Sequence, residues 1–204
     1  MAGERREAKL SAQLEEWLGS GQRKTIGGLV ETFGPQSFAI AFLVLMAFPA
    51  LPLPTGGISH VLEIVTMLLA IELALGRTDI WLPKRWEGKE LKGVSGRRFR
   101  AGVVKRVRWF ERFSRPRAAG LFDHPLTRRL FGVVVFGLAL TAFLAPPFSG
   151  LDTLPSLGVL VLSIGVLLGD LVIACAGVGI GLLGVAVVVG LGRAIVHVLH
   201  GILG

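Results

Sequence analysis

Four long apolar stretches, cut by prolines rather than by charges, restrict this chain more than any other feature. Residues 38–54, 57–76, 129–148 and 155–192 are nearly continuous apolar sequence. A helix needs roughly 20 apolar residues to cross a hydrocarbon core; two of the stretches approach that length and the last exceeds it. The charged side chains fall between the blocks. Apolar residues make up 52% of the 204, but their clustering, more than the average, points to an integral membrane protein. The expected fold class is all-α: two repeated helical hairpins with proline-rich breaks, a C-terminal glycine-rich helix, and amphipathic interfacial helices.

The first block cannot be one helix. After Phe38–Phe48 the chain reads Pro49-Ala50-Leu51-Pro52-Leu53-Pro54-Thr55-Gly56-Gly57, and each proline removes a donor and clashes one turn back. Non-helical backbone at membrane depth must be buried in protein or line a watered cavity. A helix is expected to resume at about Ile58 and run to Leu75, with Gly76-Arg77 ending it and Trp81-Leu82-Pro83 anchoring it at the interface. A similar order recurs. Ala142-Phe143-Leu144-Ala145-Pro146-Pro147 resembles the segment around Pro49, and Leu160–Asp170 resembles Met67–Arg77. Duplicated, broken helices are a device by which small transporters build a site near the midplane.

Charge sets the orientation. Residues 84–117 hold thirteen Lys or Arg against three Glu, and a basic loop between membrane segments belongs on the cytoplasmic side. With that linker inside, both breaks face outward and the two units run parallel. The linker contains an amphipathic pattern, Phe99, Val103, Val107, Phe110 and Phe113 amid arginines, suited to a headgroup plane of anionic lipid; membrane lipids are thus the expected partners. The same charges fit nucleic acid, but the positive-inside rule already accounts for them, and no nucleic-acid partner is expected. Upstream, Leu10, Leu14, Trp17 and Leu18 form a second amphipathic helix, and Ile26–Phe33 a short one ending at Gly34-Pro35. In the last helix Gly177 and Gly181 make a G-x-x-x-G pair, which suits close packing within the chain or a homodimer equally well.

The ionisable residues inside the apolar blocks are the functional candidates, because an unpaired intramembrane charge is costly. His60 and Glu63 stand three apart on one helix face, just after the first break, as a proton-accepting pair or ion ligands; near an outer interface both would simply be hydrated. Glu72 falls on the opposite face from Glu63, close to the helix end, from which it can reach water. Arg77 and Asp170 occupy corresponding places in the two units and are expected to pair. The candidate polar site is therefore Pro49, Pro52, Pro54, Gly56, Gly57, His60, Glu63, Pro146 and Pro147. Asp123-His124-Pro125 is expected to start a helix, with Asp123 as the cap. No hydrolase, zincin or P-loop motif is present, so no enzyme activity is expected. Cys175 is the single cysteine, and no metal site or cofactor is expected.

The P-x-L-P-x-P core within Leu43–Gly57, followed by Gly76-Arg77 and Trp81-Leu82-Pro83, with Arg115-Pro116-Arg117 before the second half, resembles ExoD-like exopolysaccharide-synthesis proteins over about residues 24–200. The resemblance implies a bacterial inner-membrane protein tied to exopolysaccharide production. It implies no catalytic residue.

Four regions follow: residues 1–34, an N-terminal amphipathic helical region; 35–78, the first membrane hairpin; 79–128, the basic cytoplasmic linker; and 129–204, the second membrane unit with the C-terminal helix. The expected role is a small transporter-like or lipid-carrier-handling protein supporting exopolysaccharide synthesis or export. The alternative is a non-transporting scaffold that recruits polysaccharide-synthesis enzymes through the basic linker.

Overall fold

A computed structural model of the chain describes residues 25–51, 57–81, 120–122, 124–146 and 149–203, with isolated positions at 12, 15, 16, 19, 102, 105, 107–109, 112 and 114. The apolar stripe of the N-terminal helix, all of the linker stripe except Val107, and Leu82, Pro83, Arg115–Arg117 and Asp123 lie outside the described residues.

Six helices are named among the described residues: α1 (Ile26–Phe33), α2 (Gln36–Met46), α3 (Gly57–Ala74), α4 (Pro125–Leu144), α5 (Thr153–Leu168) and α6 (Leu171–Leu203). Their ends follow from local chemistry. Thr25 caps α1, its Oγ1 accepting from the N–H of Gly28 at 3.1 Å, and Gly34 at φ 50° turns the chain into Pro35 and α2. Gly76 ends α3 at φ 90°. Proline at the first position of α4 holds its predecessor extended, so the cap is His124 rather than the expected Asp123; His124 Nδ1 accepts from the N–H of Leu126 at 3.3 Å. A two-residue Schellman turn joins α5 to α6. Gly169 is left-handed, Asp170 N–H returns to the carbonyl of Gly165 at 2.9 Å, and Asp170 Oδ1 accepts from the N–H groups of Val172 and Ile173 at 2.9 and 3.3 Å.

Three helices are long and apolar enough to cross a bilayer: α3, α4 and the Leu171–Ala194 part of α6. At 1.5 Å per residue α2 rises only about 16 Å and α5 about 24 Å, short of a core roughly 30 Å thick. The short helices sit inside. Phe38, Phe42 and Met46 of α2 and Val159 of α5 are fully buried, together with Val135 and Ala139 of α4. Phe42 meets Phe131 of α4 edge-on, with ring centroids 5.6 Å apart.

Glycine fixes the two closest helix pairings, both antiparallel. A methyl group on Gly132 of α4 would strike the backbone of Ala70 and Ala74 of α3 at 2.8 and 2.7 Å. Along α5 and α6, Gly158 faces Gly181, Leu162 faces Gly177, Gly165 faces Ala174 and Pro155 faces Gly184. The G-x-x-x-G pair of α6 is thus used within the chain, letting backbones approach as they do in membrane helix pairs.

Beside the apolar core runs a buried polar stripe, while the outer surface is largely apolar. On α3 the buried positions are Ser59, Glu63, Thr66, Ala70 and Leu73, whereas Ile58, Val61, Ile64, Val65, Leu68 and Ile71 are exposed. Leu130, Val133 and Leu140 of α4 and Val172, Leu182 and Leu183 of α6 are exposed as well. A protein folded against water would hide these side chains; hydrocarbon solvates them, so the chain is a membrane protein.

Candidate functional site

The polar interior is concentrated where α3 begins, α4 ends and α5 begins. The ring of His60 lies 5.3 Å from that of Phe143, which brings the first turn of α3 beside the last turn of α4. Asp152, at the N-cap of α5, lies close enough to act electrostatically on both His60 and Glu63. The handover from α2 to α3 and that from α4 to α5 therefore share one end of the molecule. Pro49 is fully buried there, while Gly57 and Pro146 are exposed. Pro52, Pro54, Gly56 and Pro147 lie outside the described residues.

His60 and Glu63 meet as helical spacing requires. Nδ1 of His60 stands 3.3 Å from Oε2 of Glu63, with side-chain exposures of 26% and 0%. The pair is within ion-pair range but off the angle of a hydrogen bond, and among the described residues neither oxygen of Glu63 accepts one. The hydrated reading thus fails for Glu63, which is enclosed, whereas His60 keeps an open edge. On the next element Thr153 Oγ1 and Ser156 Oγ are also buried with no hydrogen-bond partner among the described residues. Ser156 adds little polarity to the helix ladder, its N–H bonding Asp152 O at 3.1 Å. Burial pushes the Asp152 carboxyl up from its ordinary value, against the opposing pull of the Asp152 and Thr153 backbone N–H groups and of His60.

This arrangement can hold a proton or a small polar guest, since burying polar groups without partners costs about 1–3 kcal/mol each by mutational measure. Among the described residues no three His, Cys, Asp or Glu side chains converge as metal ligands do. Sequence reasoning found His60 and Glu63 but passed over Ser59, Thr66, Asp152, Thr153 and Ser156. The missed signal on α3 is the 4-3-4-3 spacing of Ser59, Glu63, Thr66, Ala70 and Leu73, which puts four small or polar residues on one stripe of a helix otherwise rich in bulky apolar side chains.

The opposite end holds charges of both signs, Arg77, Arg128 and Arg129 beside Glu72 and Asp170. The Arg129 guanidinium lies over Gly76, where a methyl group would meet it at 2.9 Å, which sets a cation at the C-terminus of α3, where the helix dipole favours one. The structure gives Arg77 and Asp170 partners other than the expected mutual one. Arg77 Nη1 lies 3.8 Å from Glu72 Oε1, and Asp170, besides capping α6, accepts from Ser114 Oγ at 3.2 Å. The physical reason is local: Glu72 is one helical turn and a bend from Arg77, and Asp170 is committed to the orphan N–H groups of α6. Glu72 also accepts from the N–H of Trp81 at 3.1 Å, tying the tryptophan back to the helix. Arg108 of the linker pairs with Glu15 near the N-terminus.

A family model described as exopolysaccharide synthesis, ExoD, matches residues 10–190. The chain is 29% identical over 177 residues to an uncharacterized protein of Synechocystis, slr1875, covering 83% of this chain and 81% of the relative. It is 28% identical over 161 residues to Protein ExoD of Rhizobium meliloti, covering 77% of this chain and 65% of that protein. No solved structure matches it.

Proposed function

Because the chain belongs to the ExoD family, we propose that it supports exopolysaccharide synthesis or export from the bacterial inner membrane, as a multi-pass, small transporter-like or lipid-carrier-handling protein. The observation that carries the reading is the His60–Glu63 pair, its carboxylate fully buried, at the end where both helix breaks lie. A polar interior within an apolar shell has a stability cost that function explains. The family's description supports the process, and the buried His60–Glu63 pair supports this reading of where it acts.

The test is complementation of a deletion strain, scored by secreted polysaccharide, alongside reconstitution into liposomes. Glu63→Gln is expected to abolish complementation, and removal of residues 96–113 to leave most of it. The purified protein is expected to move an ion, a small anion or a polyprenyl-phosphate carrier. The reverse pattern, with the linker essential and Glu63 dispensable, would establish the scaffold reading. The Arg108–Glu15 pair gives the linker a structural attachment that the scaffold reading would need to preserve.

A further inference from the structure

Among the described residues Glu63 is fully enclosed, accepts no hydrogen bond and stands in ion-pair range of a partly open imidazole, an arrangement with a direction. Glu63 has no exposed surface, whereas the His60 side chain beside it is 26% exposed. His60 is thus the member of the pair that reaches the surface of the molecule. We infer that the two residues form a proton-loading site: His60 takes up a proton at the break end and passes it to Glu63, which holds it inside the bundle.

The transfer balances without a co-reactant. The Nδ1–H bond of the imidazolium breaks and an O–H bond forms at Glu63 Oε2, 3.3 Å away, leaving a neutral imidazole and a neutral carboxylic acid. The proton that forms the imidazolium is delivered by water to Nε2, since Nδ1 is buried. The transfer leaves the Nε2–H tautomer, and ring motion with exchange against water restores Nδ1–H before the next transfer. Both resulting groups are uncharged, which removes the cost of a bare charge inside the membrane, about 2.5–3.5 kcal/mol at a helix centre on insertion scales. A neutral Glu63 also becomes a hydrogen-bond donor.

Few other charges face this pair, so the assignment can be tested cleanly. On α3 the remaining ionisable group is Glu72, at the far end. From α5 the facing group is Asp152, which interacts with both members. Against His60 α4 presents Phe143, and residues 130–146 carry no charge. Helix α2, the break at 47–56 and residues 171–192 of α6 carry none either. A proton is favoured over a metal ion because no three-ligand cluster converges among the described residues, and hard divalent cations require six or more oxygens.

The inference deepens the transporter-like reading and rests on it, but proton binding can be measured separately from flux. The full chain in nanodiscs is titrated by infrared difference spectroscopy. A protonated-carboxyl band is expected that titrates with pH, is lost in Glu63→Gln and survives in Glu72→Gln. After a pH jump, His60→Gln is expected to slow its appearance at least tenfold without removing it. On the wild type, a hydrophobic carbodiimide, which attacks protonated carboxyl groups, is expected to label Glu63 and to do so less as pH rises; this arm needs no variant to fold. Absence of both the band and the label overturns the inference, as does a band set by sodium or potassium concentration instead of pH. A band without slowing in His60→Gln overturns the assigned path. Flux that fails while the band titrates normally defeats the transporter reading alone.

Discussion

Asp152 illustrates how one side chain reports on its surroundings. It occupies the N-cap position of α5 without a side-chain capping hydrogen bond, and burial raises its carboxyl above the ordinary value of 3.8. An acid whose folded value exceeds its unfolded value stabilises the fold fully below the unfolded value, and that stabilisation is lost as pH climbs through the folded one. Asp152→Asn is therefore expected to match the wild type in melting temperature at pH below the ordinary carboxylate range, and to exceed it modestly at neutral pH. Thermal melts of nanodisc samples at the two pH values check this; an unchanged difference at both would refute it. Gly76 is the second informative residue. Its φ of 90° and the Arg129 guanidinium above it predict that Gly76→Ala loses about 1–3 kcal/mol, read as a lower melting temperature.

At the scale of elements, the α5–α6 pair is specified by small residues. Gly158, Gly165, Gly177 and Gly181 bring the two backbones together, whereas Gly179 and Gly190 face open space. Gly177→Val is expected to destabilise the fold by about 1–3 kcal/mol through overpacking, and Gly179→Val to leave packing untouched; melting temperatures of the two variants decide. The glycine stripe was readable in the sequence, as were the bounds of α1 and the start and end of α3 to within a residue. The identity of the partner helix was not, because a G-x-x-x-G face packs equally well on α5 or on a second copy of itself. Helix α2 was foreseen as an apolar run, yet nothing local marks it as an enclosed helix; that follows from its short rise and from the longer helices around it.

At the scale of the whole molecule, charge and depth agree. The break end carries His60, Glu63 and Asp152, and the other end gathers Arg77, Arg128 and Arg129, the asymmetry the positive-inside rule associates with a cytoplasmic face. In a Cys175→Ala background, Ser149→Cys is expected to react with a membrane-impermeant maleimide in intact spheroplasts, and Lys105→Cys only after lysis. Labelling of both from one side would overturn this orientation.

Composition and spacing alone determined that the chain belongs in a bilayer, that prolines divide its apolar blocks, and that His60 and Glu63 share a helix face, because these depend on transfer free energy and on the 3.6-residue turn. Tertiary structure decided the rest. It enclosed Glu63 and left His60 open, recruited Asp152, Thr153 and Ser156 from a segment some ninety residues away, and gave Arg77 and Asp170 separate partners. Burial and long-range proximity are properties of how helices pack, and no local pattern encodes which polar stripe will meet which.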